Sequence, residues 1–452
     1  MWTVAQLAAD LDAGRASSRE LVEQALAKIN DRAGEGSRAF LTVYADAARA
    51  DADYSDRLRK LGVRRSAVDG LPVSLKDLFD VAGEVTRAGS RILERASPAK
   101  SDAAAVARLR AAGAVFIGRT NMVEFAFGGL GLNPHYGTPK NPYDRKNGRV
   151  PGGSSSGAAV AQADGMAVMS LGSDTRGSIR GPAALCGVTG WKPTARRVPR
   201  EGAFPLSFTL DSVGPLANSV ACCAAYDAVL SAEPGIGLAQ SEAGLREPAG
   251  LRLLLPRCTA LDDLDDQVGK AFQSSLSRLS KAGAVISERP VPQFDRQGEY
   301  FRGGGYAGAE AYHIHRASEE RIGEYDPRVG KRILLGKSVT ASDYLALGDL
   351  RAQFMREIEP LAAGFDAILM PTTPCIAPTI AEADATDDDY FRWNMRILRN
   401  NGLINFLDGC AASLPCHEPG GAPVGLMVCG VAGSDRHTLV VAAAIERALA
   451  RD

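Results

Sequence analysis

The chain contains no apolar run of the roughly 18–20 residues that a bilayer-crossing helix needs. It also lacks an excess of either charge. Across 452 residues, 52 lysines and arginines face 53 aspartates and glutamates, for a net charge of −1. A near-neutral chain with no basic face is a poor partner for nucleic acid or an anionic membrane surface. Histidine is scarce, with five in the chain. Only His313 and His315 are close, and their spacing suits one face of a strand rather than a metal site. The eight cysteines include no Cys-x-x-Cys pair, and Cys222 and Cys223 are adjacent. That pattern argues against a structural zinc site or a disulfide framework. The acidic DATDDDY, Asp384 to Tyr390, lacks the spaced ligands and turn glycine of a calcium loop and reads as a solvated loop. The opening MWTVAQLAADLDAGRASSRELVEQALAKIN has early acidic residues and no apolar core of a signal peptide, so a cytoplasmic location is expected.

What is present is an ordinary globular composition, 45% hydrophobic and 23% charged, long enough for a large core. Ser17 and Glu20 form a capping-box pattern ahead of Leu21, Ala25 and Ile29, which predicts a helix. The apolar run Leu71 to Leu75 predicts a buried strand ending at Lys76. DAAAVARLRAAG then reads as a helix stopped by Gly113, followed by the strand AVFIG. SGAAVAQADG reads as a helix and MAVMSLGSD as a strand. LRLLLP and AVISERPVP read as strands around the helix DDQVGKAFQSSLSRLSKAG. TASDYLALGDLRAQFMREIEPLA reads as a long helix before the strand DAILMP. The strand PVGLMVCG precedes the helix DRHTLVVAAAIERALA. The alternation predicts an α/β fold. No repeat or low-complexity linker divides it, so one domain over residues 1–452 is expected, with a less regular stretch around 295–345 that covers a site.

The chemistry concentrates in two Gly-Ser segments. RVPGGSSSGAAV could be a linker by composition, but alanine-rich helix and hydrophobic strand follow it directly. Its Gly153, Ser155 and Gly157 have the spacing of a nucleophile elbow, with His417 or His437 as candidate bases. An elbow needs a strand immediately before it, whereas residues 141–153 are turn chemistry. The second segment, LGSDTRGSIRGPAALCGVTGWKPT, sets Gly172, Gly177 and Gly181 around Ser178. Clustered glycines let several backbone N–H groups converge on one point, as an oxyanion hole requires. Such a serine needs a base, and no histidine is near it in sequence. A buried lysine kept neutral can serve, and Lys76 is placed for that role.

At these residues the chain resembles the amidase signature enzymes. The blocks GLPVSLKD, GRTNMVEFAFG, TPKNPYD, PGGSSSGAAV, LGSDTRGSIRGPAALCGVTGWKPT, LDSVGPLANSV, FDAILMPTTP and PVGLMVCG occur in the family's order, densest over residues 70–220. The resemblance implies a large twisted mixed β-sheet flanked by helices on both faces, a Ser–cis-Ser–Lys triad and no cofactor. Ser178 lies 24 residues after Ser154 (178 − 154), the family's catalytic separation. By that resemblance Ser178 is the nucleophile, Ser154 the bridging serine after a cis peptide bond, and Lys76 the base. The backbone amides of Thr175, Arg176, Gly177 and Ser178 would bind the oxyanion. Ser155 would hydrogen-bond within the relay, and Asp174 and Arg180 would brace the loop. Phe125, Phe127, Gly128 and Tyr136 are candidates for a substrate pocket. The implied activity is hydrolysis of a small amide, carbamate or urea-like C–N bond through an acyl-enzyme, with no metal.

Two positions depart from the family pattern. Ser156 replaces the fifth-position glycine of the G-G-S-S-G-G block. Arg176 stands where glycine or alanine is usual before Gly177, and its side chain must either brace the loop through an ion pair or reach an acidic or carbonyl-rich substrate group. The alternative functions are the glutaminase component of a tRNA-dependent amidotransferase and an esterase using Ser155. A small-molecule substrate is the expected partner, and a homodimer the commonest assembly for such a chain.

Overall fold

The seven predicted strands all form in the computed structural model, which describes residues 3–234 and 247–450. Four further strands join them. In chain order they are β1 (Phe40–Val43), β2 (Pro72–Lys76), β3 (Val115–Thr120), β4 (Met169–Asp174), β5 (Thr189–Lys192) and β6 (Ser212–Ala217). Then follow β7 (Arg252–Arg257), β8 (Val285–Pro290), β9 (Ala367–Pro371), β10 (Cys410–Pro415) and β11 (Gly425–Gly430). They hydrogen-bond as one eleven-stranded sheet in the order β1-β3-β2-β4-β6-β5-β10-β11-β9-β7-β8. The sheet is mixed: β2 runs parallel to β3 and β4, β7 parallel to β8 and β9, and the remaining neighbours are antiparallel. The α/β reading holds.

Both faces of the sheet are covered, because successive side chains of a strand point to opposite faces. In β3, Phe116 joins one apolar core while Val115 and Ile117 join another. In β11, Leu426 and Val428 join the first core while Met427 and Cys429 join a third. One face therefore carries a single long core, and the other carries two. The Val220–Ser231, Asp266–Lys281 and Asp435–Ala450 helices cover the first face. The Ser18–Ile29 helix, started by the Ser17–Glu20 capping box, and the Ser156–Ala163 helix cover the second core. The Ala341–Ala362 and Asp387–Phe406 helices cover the third.

Three local expectations change. DATDDDY is not a loop throughout: Thr386 caps the Asp387–Phe406 helix by accepting from Asp389 N, and three aspartates fill its first turn. Acidic side chains are favoured there by the amide dipoles of the helix start. His313 and His315 lie on the Gly305–His315 helix, not on a strand. Residues 295–345 are mostly short helices, interrupted at Gly303, Gly304 and Gly305, which take positive φ. The eight cysteines are free thiols. Among the described residues no helix is long and apolar enough to cross a membrane.

Phe406 ends the Asp387–Phe406 helix fully buried, stacked on Tyr300 with ring centroids 4.6 Å apart and close to Phe354 at 5.5 Å. Truncating such a ring leaves a cavity and costs roughly 3–5 kcal/mol. Phe406→Ala is expected to lower the thermal midpoint by several degrees; an unchanged midpoint would remove this ring cluster from the account of stability.

Candidate active site

Parallel β2 and β4 are neighbours, and their carboxyl ends carry Lys76 and the pair Ser173–Asp174. In open α/β sheets the carboxyl ends of strands are where loops can assemble a site. The Gly-Ser segments arrive there from two sides. The first turns into the Ser156–Ala163 helix, and its Gly153–Ser154 peptide bond is cis. Gly152 and Gly153 donate their N–H groups to the carbonyls of Leu130 and Gly129 at 3.2 and 2.7 Å. A Cβ at Gly153 would sit 2.7 Å from Gly131 N and 2.9 Å from Val123, so only glycine fits this approach. The second segment follows β4 and leads into the Arg180–Cys186 helix.

Lys76 Nζ donates to Ser154 Oγ at 2.7 Å and to Ser173 Oγ at 2.8 Å, and the residue is wholly buried. Burial pushes the ammonium down to about 7, against a weaker upward pull from the Asp174 and Asp211 carboxylates. An amine buried among hydroxyls, with no carboxylate in contact, holds a neutral form that can accept a proton near neutral pH. Ser173 is a partner that the sequence reading passed over.

Asp174 organises the loop that carries Ser178. Its carboxylate accepts from Gly177 N at 2.7 Å, Ile179 N at 3.1 Å and Asn405 Nδ2 at 2.9 Å. It also pairs with Arg180 at 3.0 Å, both side chains being fully buried. These donors hold the carboxyl far below the usual carboxylate range even though burial opposes it. Gly177 adopts φ +113°, and a Cβ there would meet Asn401 Cβ at 2.5 Å. The four-donor oxyanion reading needs correcting, because the Gly177 N–H is already committed to Asp174. The amides of Thr175, Arg176 and Ser178 are what remains of the expected set. Thr175 is itself anchored through Oγ1 to Asp211 at 2.5 Å.

Ser178 lines a cavity of about 330 Å³. Its hydroxyl is not hydrogen-bonded to Ser154, although Ser178 O accepts from Ser155 N at 3.3 Å. Ser155 Oγ donates to the Ser173 carbonyl at 3.4 Å, so it ties backbone to backbone rather than extending the hydroxyl relay. His437 pairs with Asp366 at 3.3 Å and His417 accepts from Val424 N at 3.4 Å, so neither serves Ser155 as a base.

Of the four predicted pocket residues, Phe127 and Gly128 line the cavity. Phe125 is instead packed among Phe204, His315 and Tyr325, and Tyr136 donates its hydroxyl to Glu94 at 2.9 Å. The ion pair considered for Arg176 does not form: the guanidinium lies over the Phe301 ring at 3.7 Å, with Met395 Sδ 3.9 Å from Nη1. Phe301, Arg332 and Asn394 complete the polar and aromatic wall; the sequence singled out none of them, although Phe301 and Arg332 lie in the 295–345 stretch expected to cover a site. Among the described residues no group of three or more His, Cys, Asp or Glu side chains could hold a metal ion.

A family profile described as Amidase matches residues 20–439. The chain is 35% identical to a 2-amino-5-chloromuconic acid deaminase from Comamonas testosteroni, over 96% of this chain and 94% of that protein. It is 37% identical to a glutamyl-tRNA(Gln) amidotransferase subunit from Anaeromyxobacter sp. (strain K), over 96% of this chain and 93% of that one. A solved amidase structure superposes with a TM-score of 0.87 at 32% identity, covering 99% of both chains.

Lys76 also makes the stability depend on pH. Its ammonium titrates near 10.5 when free and near 7 in the fold. Between those values the unfolded chain binds the proton and the folded chain does not, so this lysine favours folding more as pH rises. Below about 7 the full cost of burying it is present. The stability difference between Lys76→Met and the unsubstituted protein should therefore shift toward the variant as pH falls from 10 to 7, read from thermal midpoints at both values. A difference independent of pH would show that Lys76 is not depressed.

Proposed function

The chain belongs to the amidase family and hydrolyses C–N bonds of amides; on that premise we propose that Ser178, Ser154 and Lys76 carry out the reaction through an acyl-enzyme. The observation that carries this reading is the contact of a buried, depressed lysine with Ser154 beside a second serine that lines the cavity. Neutral Lys76 accepts the Ser154 proton, Ser154 takes the proton of Ser178, and Ser178 Oγ bonds to the amide carbonyl carbon. The carbonyl oxygen becomes an oxyanion held by the amides of Thr175, Arg176 and Ser178. The proton on Lys76 returns through Ser154 to the leaving nitrogen, the C–N bond breaks, and amine or ammonia departs. Water then repeats the sequence on the ester, giving the carboxylic acid and restoring Ser178. The Ser154–Ser178 link closes by rotation of the Ser178 hydroxyl when substrate is bound, as catalytic hydrogen bonds commonly tighten in the complex.

The Comamonas relative acts, by its name, on an amino-substituted muconic acid, which supports a small-molecule amide or amine-bearing substrate here. Identity of 37% to an amidotransferase component favours a second reading, in which the same site releases ammonia inside a complex. Purified chain that liberates ammonia from simple primary amides supports the stand-alone hydrolase. Activity that appears only with partner subunits supports the second reading.

Ser178→Ala should reduce turnover to background, and Ser154→Ala should lower kcat by about 10²–10⁴-fold, the range for loss of a proton-transfer group. Because Lys76 must be neutral to act, kcat/KM should climb as pH rises through about 7 and level off above it. The same acid limb persisting in Lys76→Ala would show that another group is the base.

A further inference from the structure

Buried arginines elsewhere in the fold are paired with acids: Arg180 with Asp174 at 3.0 Å and Arg119 with Asp77 at 2.8 Å. The cavity at Ser178 breaks this pattern. Arg176 and Arg332 both line it, no aspartate or glutamate does, and neither arginine forms an ion pair among the described residues. Arg176 lies over Phe301 at 3.7 Å, and its buried Nε has no hydrogen-bond acceptor. Arg332 lies over Phe127 at 4.1 Å and gives an Nη1 hydrogen bond to the Phe127 carbonyl at 2.8 Å. Stacking occupies the faces of the guanidiniums and leaves in-plane N–H groups for an acceptor. Burial and then the proximity of Arg332 pull Arg176 down to about 9, while burial lowers Arg332 against a weaker upward pull from Tyr390 and the Asp326 carboxylate. Two like charges on the wall of one partly closed, largely apolar cavity that carries no carboxylate raise its energy until an anion enters.

We infer that Arg176 and Arg332 form an anion subsite, and that the amide cleaved at Ser178 belongs to a small molecule bearing a carboxylate. The inference rests on Ser178 as the nucleophile and names the substrate class for that site. A carboxylate matches the forked donors of two guanidiniums, and the apolar wall of Phe127, Leu206, Leu210 and Leu398 suits a short hydrocarbon between carboxylate and amide. The rim, where Leu335 is 52% and Met395 47% exposed, gives such a molecule access from solvent.

The test separates recognition from turnover. Calorimetry on Ser178→Ala protein is run with ω-amido carboxylates from malonamate to adipamate and with the alkanamides of equal length. The best ω-amido carboxylate should bind about 10- to 100-fold more tightly than its uncharged counterpart, the factor expected for charge-assisted hydrogen bonds. Adding Arg332→Met, or Arg176→Met, should remove most of that advantage, and Arg332→Lys should restore part of it. Should the methionine variants fail to fold, the preference measured in Ser178→Ala alone decides. Equal affinity for both series, or binding of inorganic phosphate in place of carboxylates, overturns the subsite. Turnover of the same compounds by the unsubstituted chain, and its loss in Ser178→Ala, reports separately on the nucleophile. An equal kcat/KM for charged and uncharged amides therefore removes the anion subsite while leaving the hydrolase intact.

Discussion

A lysine without a carboxylate in contact, sealed at the end of a buried strand, is the constraint from which the rest of the site follows. An ammonium at that position has lost its water and has only two hydroxyls as partners, Ser154 and Ser173. A carboxylate touching it would fix the proton and end its use as a base. Yet Asp174, whose charge pulls the ammonium upward, stands only one residue beyond Ser173. The fold resolves this by directing the Asp174 charge elsewhere, into Arg180, Asn405 and the amides of Gly177 and Ile179. The Asp174–Arg180 pair thus has two effects. It shapes the turn that presents Ser178, and it turns a negative charge away from Lys76. Removing either partner would leave an uncompensated charge in a fully buried position.

The same economy explains why small residues crowd the two serine segments. Gly153 must pass against Gly131 and Val123, and Gly177 must pass against Asn401 in a left-handed conformation. Each close approach places a backbone amide where a side chain would otherwise stand. Asn401 and Asn405 come from one helix and hold opposite sides of this arrangement: Asn401 donates to the Thr372 carbonyl at 2.8 Å, while Asn405 bridges Asp174 and Arg180. The helix that bears them starts within DATDDDY, with Thr386 as its cap and three aspartates in its first turn. A segment far along the chain is therefore part of the wall behind the Ser178 loop.

Legibility in the sequence followed physical cause. Strands with long apolar runs, such as β2, β7 and β9, announced themselves by composition. β1, β5, β6 and β10 did not, because FLTV and TGWK are only four residues long and SVGPLA and CAASLP are small, glycine- or proline-bearing segments without a repeating pattern. As candidates, Ser154 and Ser178 were legible from their family spacing and Lys76 from its place at a strand end in GLPVSLKD, and the Asp174–Arg180 brace was legible with them. Ser173 could have been found from the alignment of two strand ends, had the β2–β4 pairing been known. The three asparagines of RILRNNGLINF are a signal the sequence does contain: amides set among Ile397, Leu398, Leu403, Ile404 and Phe406 need buried partners. Arg332 and Phe301 carried no such mark of their own beyond lying in the 295–345 stretch expected to cover a site. Their place at the cavity comes from how distant helices pack, which local pattern does not encode.

Two buried arginines of the scaffold are matched by acids, Arg180 by Asp174 and Arg119 by Asp77. On the cavity side, Arg176 and Arg332 stand without acids, held in place by the aromatic faces of Phe301 and Phe127. A catalytic loop that needed only rigidity would be served by glycine or alanine at position 176, which spares the desolvation of a guanidinium. On the proposed mechanism, the arginine there offers its backbone amide to the oxyanion and its guanidinium to the carboxylate of the proposed substrate. One residue would thus join the two tasks of the site, with its main chain serving the bond being broken and its side chain the charge of the molecule that contains it.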